Sequence, residues 1–194
     1  VGTSFDLRTQ TVDALARTRL GPLRGALGAQ GLLRQYASTG EEALTPAANT
    51  TNLGLFVFQE LALGAERTGA DSARVPTLQA GARWDDFRIA SQSGDAKFGP
   101  GRTTRFGAVS GSLGANLPLG RLATLGVSAA RAFRAPTVEE LYSNAFHAAV
   151  GTYDVGNAAL KPAGDEELDA VLRVPGVRTT AQLSGYANRI RDFI

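Results

Sequence analysis

The chain holds one histidine, His147, and no cysteine. Those two counts narrow its chemistry before any fold is considered. Without cysteine there is no thiol nucleophile, no disulfide framework and no cysteine–zinc site. A lone histidine builds a metal centre only if carboxylates or another chain supply the other ligands. His147 lies close to Ser143 and Asn144, a set superficially like the nucleophile, base and orienting group of a hydrolase. No activating partner stands out, and the plainer reading is a polar loop residue. His147 and Asp154 are candidate contacts to a metal, but two ligands are too few for a resident site. Asp165, Glu166 and Glu167 read as a solvated acidic rim. Arg83, Arg105 and Arg131 are candidates to line a positive lumen that attracts anionic chelates. Gly94 and Gly99-Pro100-Gly101 mark a loop. They are not a phosphate cradle, because no strand–glycine loop–helix context surrounds them.

Composition bounds what must position these groups. Lys plus Arg is 20 and Asp plus Glu is 18, a net charge of +2 that is too small to suggest nucleic acid as a partner. Hydrophobic residues at 43% and charged residues at 20% exclude a disordered chain. No run approaches the ~18–20 apolar residues of a membrane helix, and no charged start with an apolar core marks a signal peptide. The chain opens at Val1 and has no methionine, which reads as a processed or excised piece of something longer. Its 23 glycines are spread along the length, which favours many turns and strands. A membrane strand needs only ~9–11 residues, with every second one apolar.

The period in the clearer segments is two. Val109, Leu113 and Leu117 alternate with Ser110, Ser112 and Asn116. From Val177 onward, Ala181, Leu183 and Ala187 alternate with Gln182, Ser184 and Asn188. The spacing predicts about eight strands, near 5–19, 24–36, 52–63, 77–90, 103–117, 122–133, 165–174 and 177–190. Gly21-Pro22, Pro118-Leu119-Gly120 and Pro175-Gly176 make tight turns. Segments 37–51, 91–102 and 134–164 are long and polar, and 64–76 is intermediate. Short and long connections at opposite ends suit an outer-membrane barrel, and a soluble β-sandwich or barrel is the alternative. The wet character of Ser110, Ser112, Asn116, Gln182 and Ser184 suits a polar lumen. Val109, Leu113, Leu117, Leu125, Val127, Leu168, Leu172 and Leu183 should then face outward. Thr124 and Ser128 should join the inward set.

Residues 133–144 read Phe-Arg-Ala-Pro-Thr-Val-Glu-Glu-Leu-Tyr-Ser-Asn, followed by Gly156-Asn157 and Leu160-Lys161-Pro162. This block resembles the TonB-dependent outer-membrane receptors, whose barrels carry R-A-P-x-x-E-E-L-Y and then G-N-x-x-L-x-P-E. Residues 20–28, 55–60, 81–85 and the closing Asn188–Ile194 are similar to further stretches of that barrel. Ala163 departs from the family's usual glutamate. Locally, Thr137 and Glu140 fit a capping box for a short helix after Pro136.

The resemblance implies an all-β fold: an antiparallel up-and-down transmembrane β-barrel, here about eight strands of a barrel of about 22 strands. It implies that residues 1–194 are an internal part of that barrel, with the plug domain and remaining strands lying elsewhere. The implied function is active import of a scarce ligand, an iron–siderophore or similar metal chelate, across the outer membrane of a Gram-negative bacterium. The implied partners are the TonB complex, reached through the N-terminal part, the membrane lipid, and a metal chelate or small-molecule ligand. No enzymatic activity, cofactor or resident metal is expected. Arg134, Glu139, Glu140, Tyr142, Asn144, His147 and Tyr153 are the loop candidates for touching ligand. A passive porin or structural barrel is the alternative, and an outer-membrane hydrolase a more distant one.

Overall fold

The computed structural model describes residues 3–40, 43–64, 75–92, 96–147, 150–176 and 178–194. Gly94 and Val177, named above, lie outside them. Eight long strands form one antiparallel sheet: β1 (Ser4–Leu20), β2 (Leu23–Thr39), β3 (Ala48–Ala62), β4 (Thr77–Ser91), β5 (Thr103–Leu119), β6 (Ala123–Arg134), β9 (Ala163–Val174) and β10 (Ala181–Arg191). Between β6 and β9 the chain makes a short helix α1 (Val138–Tyr142) and a hairpin of β7 (Asn144–His147) and β8 (Thr152–Val155). β1 pairs only with β2, and β10 only with β9, so the sheet is open. Strands of 17 residues such as β1, β2 and β5 reach about 55 Å. That exceeds what crossing a bilayer requires, and the surplus extends beyond it. No helix among the described residues is long and apolar enough to cross a membrane.

The eight expected strands are the eight of the large sheet, and the β7–β8 hairpin is additional to them. β3 starts four residues earlier than its spacing predicts, and β10 starts at Ala181. The turn assigned to Pro118-Leu119-Gly120 is displaced, because Pro118 and Leu119 still pair with Thr124 and Ala123. The chain reverses over residues 120–122, where Gly120 takes φ +64. That left-handed conformation is open to glycine at no steric cost.

In an antiparallel pair, residues directly opposite share a face. Followed across the sheet, the register places Val109, Leu113, Leu117, Leu125, Val127, Leu168, Leu172 and Leu183 on one face. Ser110, Ser112, Asn116, Thr124, Ser128, Gln182 and Ser184 lie together on the other. The two expected sets therefore separate without exception. The second face is the one α1 covers, through Ala48, Ile89 and Phe106, and we call it inner. Apolar residues on the uncovered outer face are broadly exposed, Leu113 and Leu183 among them. A soluble sheet would bury such a stripe against a second layer.

Parity fixes the ends. Connections 40–47, 92–102 and 135–162 leave one end of the sheet, and the turns at 21–22, 120–122 and 175–180 leave the other.

Candidate functional site

The 135–162 connection is a folded element. Thr137 accepts from the Glu140 backbone, and the Glu140 carboxylate accepts from the Thr137 backbone N–H, the reciprocal capping box anticipated from sequence. Arg134, the last residue of β6, then grips Glu140 with both guanidinium nitrogens at 3.0 and 2.9 Å. The Arg134 guanidinium, with help from the Thr137 N–H, holds the Glu140 carboxyl below the usual glutamate range. One carboxylate thus ties the helix start to the end of a wall strand.

The clamp aims an apolar face at the wall. Val138, Leu141 and Tyr142 pack on Ala48, Ile89 and Phe106, with Phe87, Ala135 and Leu160 around them. The Tyr142 hydroxyl lies 2.6 Å from Thr104 Oγ1. Gly156 passes so close that an added Cβ would sit 2.5 Å from the Tyr142 nitrogen, leaving no room for a side chain. Its N–H donates to the Ser143 carbonyl, and that of Asn157 donates to Glu140. Here the motif residues Arg134, Thr137, Glu140, Leu141, Tyr142, Gly156 and Asn157 mainly build the loop.

The other two long connections join this unit. Asn144 donates from its backbone to the Leu44 carbonyl at 3.1 Å, and from Nδ2 to the Lys97 carbonyl at 2.6 Å. Lys97 Nζ donates to the Ala43 carbonyl at 2.7 Å. Thr45, fully buried, bonds Tyr36. The three loops therefore form one cap, with Asn144 at the junction.

Candidate ligand residues divide into two groups. Arg134, Glu140, Tyr142 and Asn144 are engaged in the contacts above, and Glu139 is exposed on the first turn of α1. The β7–β8 hairpin carries the rest outward. Phe146 and Tyr153 are more than half exposed, and the Tyr153 hydroxyl donates to Asn144 Oδ1 at 3.2 Å. His147 Nδ1 lies 3.3 Å from Asp154 Oδ2, both side chains about 40% exposed. Thr152 Oγ1 in turn donates to Asp154 Oδ1. No hydrogen bond joins the Ser143 hydroxyl to His147 among the described residues, so the hydrolase-like set is not assembled. Nor do three or more His, Asp or Glu side chains gather as a metal centre among them.

Below the cap, the inner wall carries a polar row that the sequence reading did not identify. Asp13, Gln30, Gly54 and Asp85 are register partners across β1 to β4. Arg83 lies over Gly54, where an added Cβ would collide with its guanidinium. It bonds Asp85 at 2.6 and 2.7 Å and Gln30 at 3.0 Å, and it stands over the Phe56 ring. Gln30 donates on to Asp13, and Asn52 donates to Asp85. A positive lumen lined by Arg83, Arg105 and Arg131 is therefore not what forms. Arg83 is inner but neutralised by Asp85. Arg105 and Arg131 belong by register to the outer face, with Val109 and Val127. Glu166 is outer as well, paired with Arg191 at 2.8 Å, while Asp165 and Glu167 are inner.

Comparison with known proteins agrees with this architecture. The chain spans about a third of the length of the solved receptors it resembles. One is the hemophore receptor HasR of Serratia marcescens, solved with its hemophore HasA and heme (TM-score 0.73, 20% identity, 97% of this chain and 34% of that one). Another is the copper transporter OprC (TM-score 0.78, 20% identity, 98% and 30%). A third is the siderophore receptor PirA of Pseudomonas aeruginosa (TM-score 0.59, 16% identity, 98% and 40%). No curated protein matches in sequence. The family profile described as TonB dependent receptor-like, beta-barrel, matches residues 2–194, so the chain belongs to the TonB-dependent receptors of the Gram-negative outer membrane and forms a sector of their barrel wall.

Proposed function

We propose that the full-length receptor imports a metal chelate across the outer membrane with energy delivered through TonB, and that the cap is where the chelate is first held. In this reading the long-loop end is extracellular. The chain supplies wall and mouth, a plug elsewhere in the receptor closes the lumen, and no covalent chemistry occurs.

One observation carries the choice of a metal-bearing ligand. His147, with its Nδ1 3.3 Å from Asp154 Oδ2, is part-exposed on the β7–β8 hairpin, on the face it shares with Thr152 and Asp154. A carboxylate beside one imidazole nitrogen, with the other nitrogen the ligand, is the usual arrangement behind a metal-binding histidine. HasR, OprC and PirA are named for heme, copper and siderophore respectively. A metal in the cargo is the feature those names share, and we carry only that feature to this chain.

The test is uptake by cells expressing the full-length receptor, offered ferric citrate, a ferric hydroxamate chelate, heme and cupric ion. We expect accumulation of at least one, abolished by loss of TonB and reduced about tenfold or more by His147→Ala. Uptake indifferent to TonB would make the protein a passive porin. Uptake of none of the four would remove the metal-chelate assignment.

A further inference from the structure

The segment that builds the cap carries two adjacent acids, and they are used differently. Glu140 is clamped by Arg134. Glu139, exposed on the first turn of α1, has no ion pair and no side-chain hydrogen bond among the described residues. It lines a cavity of about 280 Å³ between the start of α1 and the inner face of β1 to β4.

The walls of this cavity are mainly apolar: Leu7, Tyr36, Phe87, Ile89, Pro136 and Val138. The strand residues among them are inner by register. Ile89 and Val138 also belong to the contact that seats α1 on the wall, so the packing that holds the cap shapes the cavity too. The Tyr36 hydroxyl accepts from Thr45, and its polar end is therefore already engaged. The space is roughly twice the ~150 Å³ hole that holds a benzene in an engineered protein core, enough for one small organic molecule.

Arg34 is the other charged residue on the cavity. It stands on β2 opposite Thr9 and donates from Nε to Thr9 Oγ1 at 3.3 Å. Its two Nη groups have no partner, and no carboxylate pairs with it, among the described residues. Arg34 and Glu139 thus line one cavity with opposite charges and do not pair with each other. Such an opening suits a molecule that carries both signs. A guanidinium matches the two oxygens of a carboxylate, and a carboxylate accepts from an ammonium. A simple anion leaves Glu139 unanswered, and a simple cation leaves Arg34 so.

We propose that this cavity binds an amphipathic zwitterion, an α-amino acid with an apolar side chain. Its carboxylate sits on Arg34, its ammonium on Glu139, and its side chain against Phe87, Ile89 and Pro136. The site is separate from the β7–β8 hairpin and does not depend on the cargo being a metal chelate.

Equilibrium dialysis of the full-length receptor with radiolabelled phenylalanine tests the proposal. Two analogues each lack one charge: 3-phenylpropanoate has no ammonium, and 2-phenylethylamine has no carboxylate. We expect saturable phenylalanine binding, about tenfold tighter than that of either analogue, because each lacks one charge-assisted contact. Arg34→Gln should erase the preference over 2-phenylethylamine and keep that over 3-phenylpropanoate. Glu139→Gln should do the reverse, and Arg105→Gln, on the outer face, should change neither. Absence of saturable phenylalanine binding, equal affinity for the three compounds, or preferences untouched by both cavity variants would overturn the proposal. So would loss of both preferences together in either variant, which would mark a damaged cap in place of charge recognition.

Discussion

Leu141→Ala should unseat the loop cap while leaving the barrel wall standing. Leu141 is 2% exposed and sits at the centre of the cluster formed by α1 on Ala48, Ile89 and Phe106. Its truncation removes buried methyl groups and leaves a cavity walled partly by the sheet, which cannot collapse inward. Such losses cost about 2–4 kcal/mol. If the cap opens as a local unit, the opened fraction rises by roughly 30- to 700-fold, at 1.4 kcal/mol per factor of ten. Limited proteolysis of the full-length receptor in outer-membrane preparations reads that fraction, because cleavage within 135–162 tracks the opened population when reclosing is fast. The heat-dependent gel shift of a folded barrel serves as the control for the wall. Val155→Ala, at a position 73% exposed, should change the cleavage rate by less than about threefold. A Leu141→Ala cleavage rate within threefold of the native one would refute the argument that these loops are a packed unit.

Three further outcomes are expected. The Glu140 carboxyl, held low by Arg134, stabilises the cap fully above the ordinary glutamate pKa and loses that contribution as pH falls through its lowered value. Proteolytic protection should therefore be flat near neutrality and decline only in acid, and Glu140→Gln should lower the neutral plateau and flatten the acid limb. Because Arg134 is nearly half exposed, the plateau change should stay within about 1 kcal/mol. Arg83→Gln leaves Asp85, 3% exposed, without its cation, and should lower the urea stability of the refolded receptor by about 2–4 kcal/mol, while Arg105→Gln stays within about 0.5. An epitope inserted at Gly151 should be labelled on intact cells and one at Gly120 only after permeabilisation, with the reverse pattern inverting the topology.

The strands and their faces were legible because a membrane wall writes its chemistry at period two. Leu113 and Ser112 differ sharply in residue type, and the observed register puts them on opposite faces of the sheet. The same parity carried information that the lumen assignment ignored. Arg105 is in phase with Val109, and Arg131 with Val127, so both belonged outside by the rule that placed the leucines. The capping box of Thr137 and Glu140 was readable because its partners are three residues apart. The polar row from Asp13 to Asp85 was not, since its members meet only through the pairing of four strands. Gly54 was its one local trace, a glycine inside a strand where a long side chain crosses. The β7–β8 hairpin went unread because four-residue strands are too short to show alternation. Arg134, Glu140, Tyr142 and Asn144 are ligand candidates through the loop motif they belong to, and the structure uses their polar groups to build the cap.

The central claim is that this sheet is a membrane wall with Leu113 toward lipid and Ser112 toward the lumen. Spin labels at these two positions in the full-length receptor, read by collision with molecular oxygen and with a water-soluble nickel chelate, test it directly. The account predicts oxygen-dominated relaxation at Leu113 and nickel access or burial at Ser112. Oxygen dominance at Ser112 would shift the register by one residue, and nickel dominance at Leu113 would remove the sheet from the membrane.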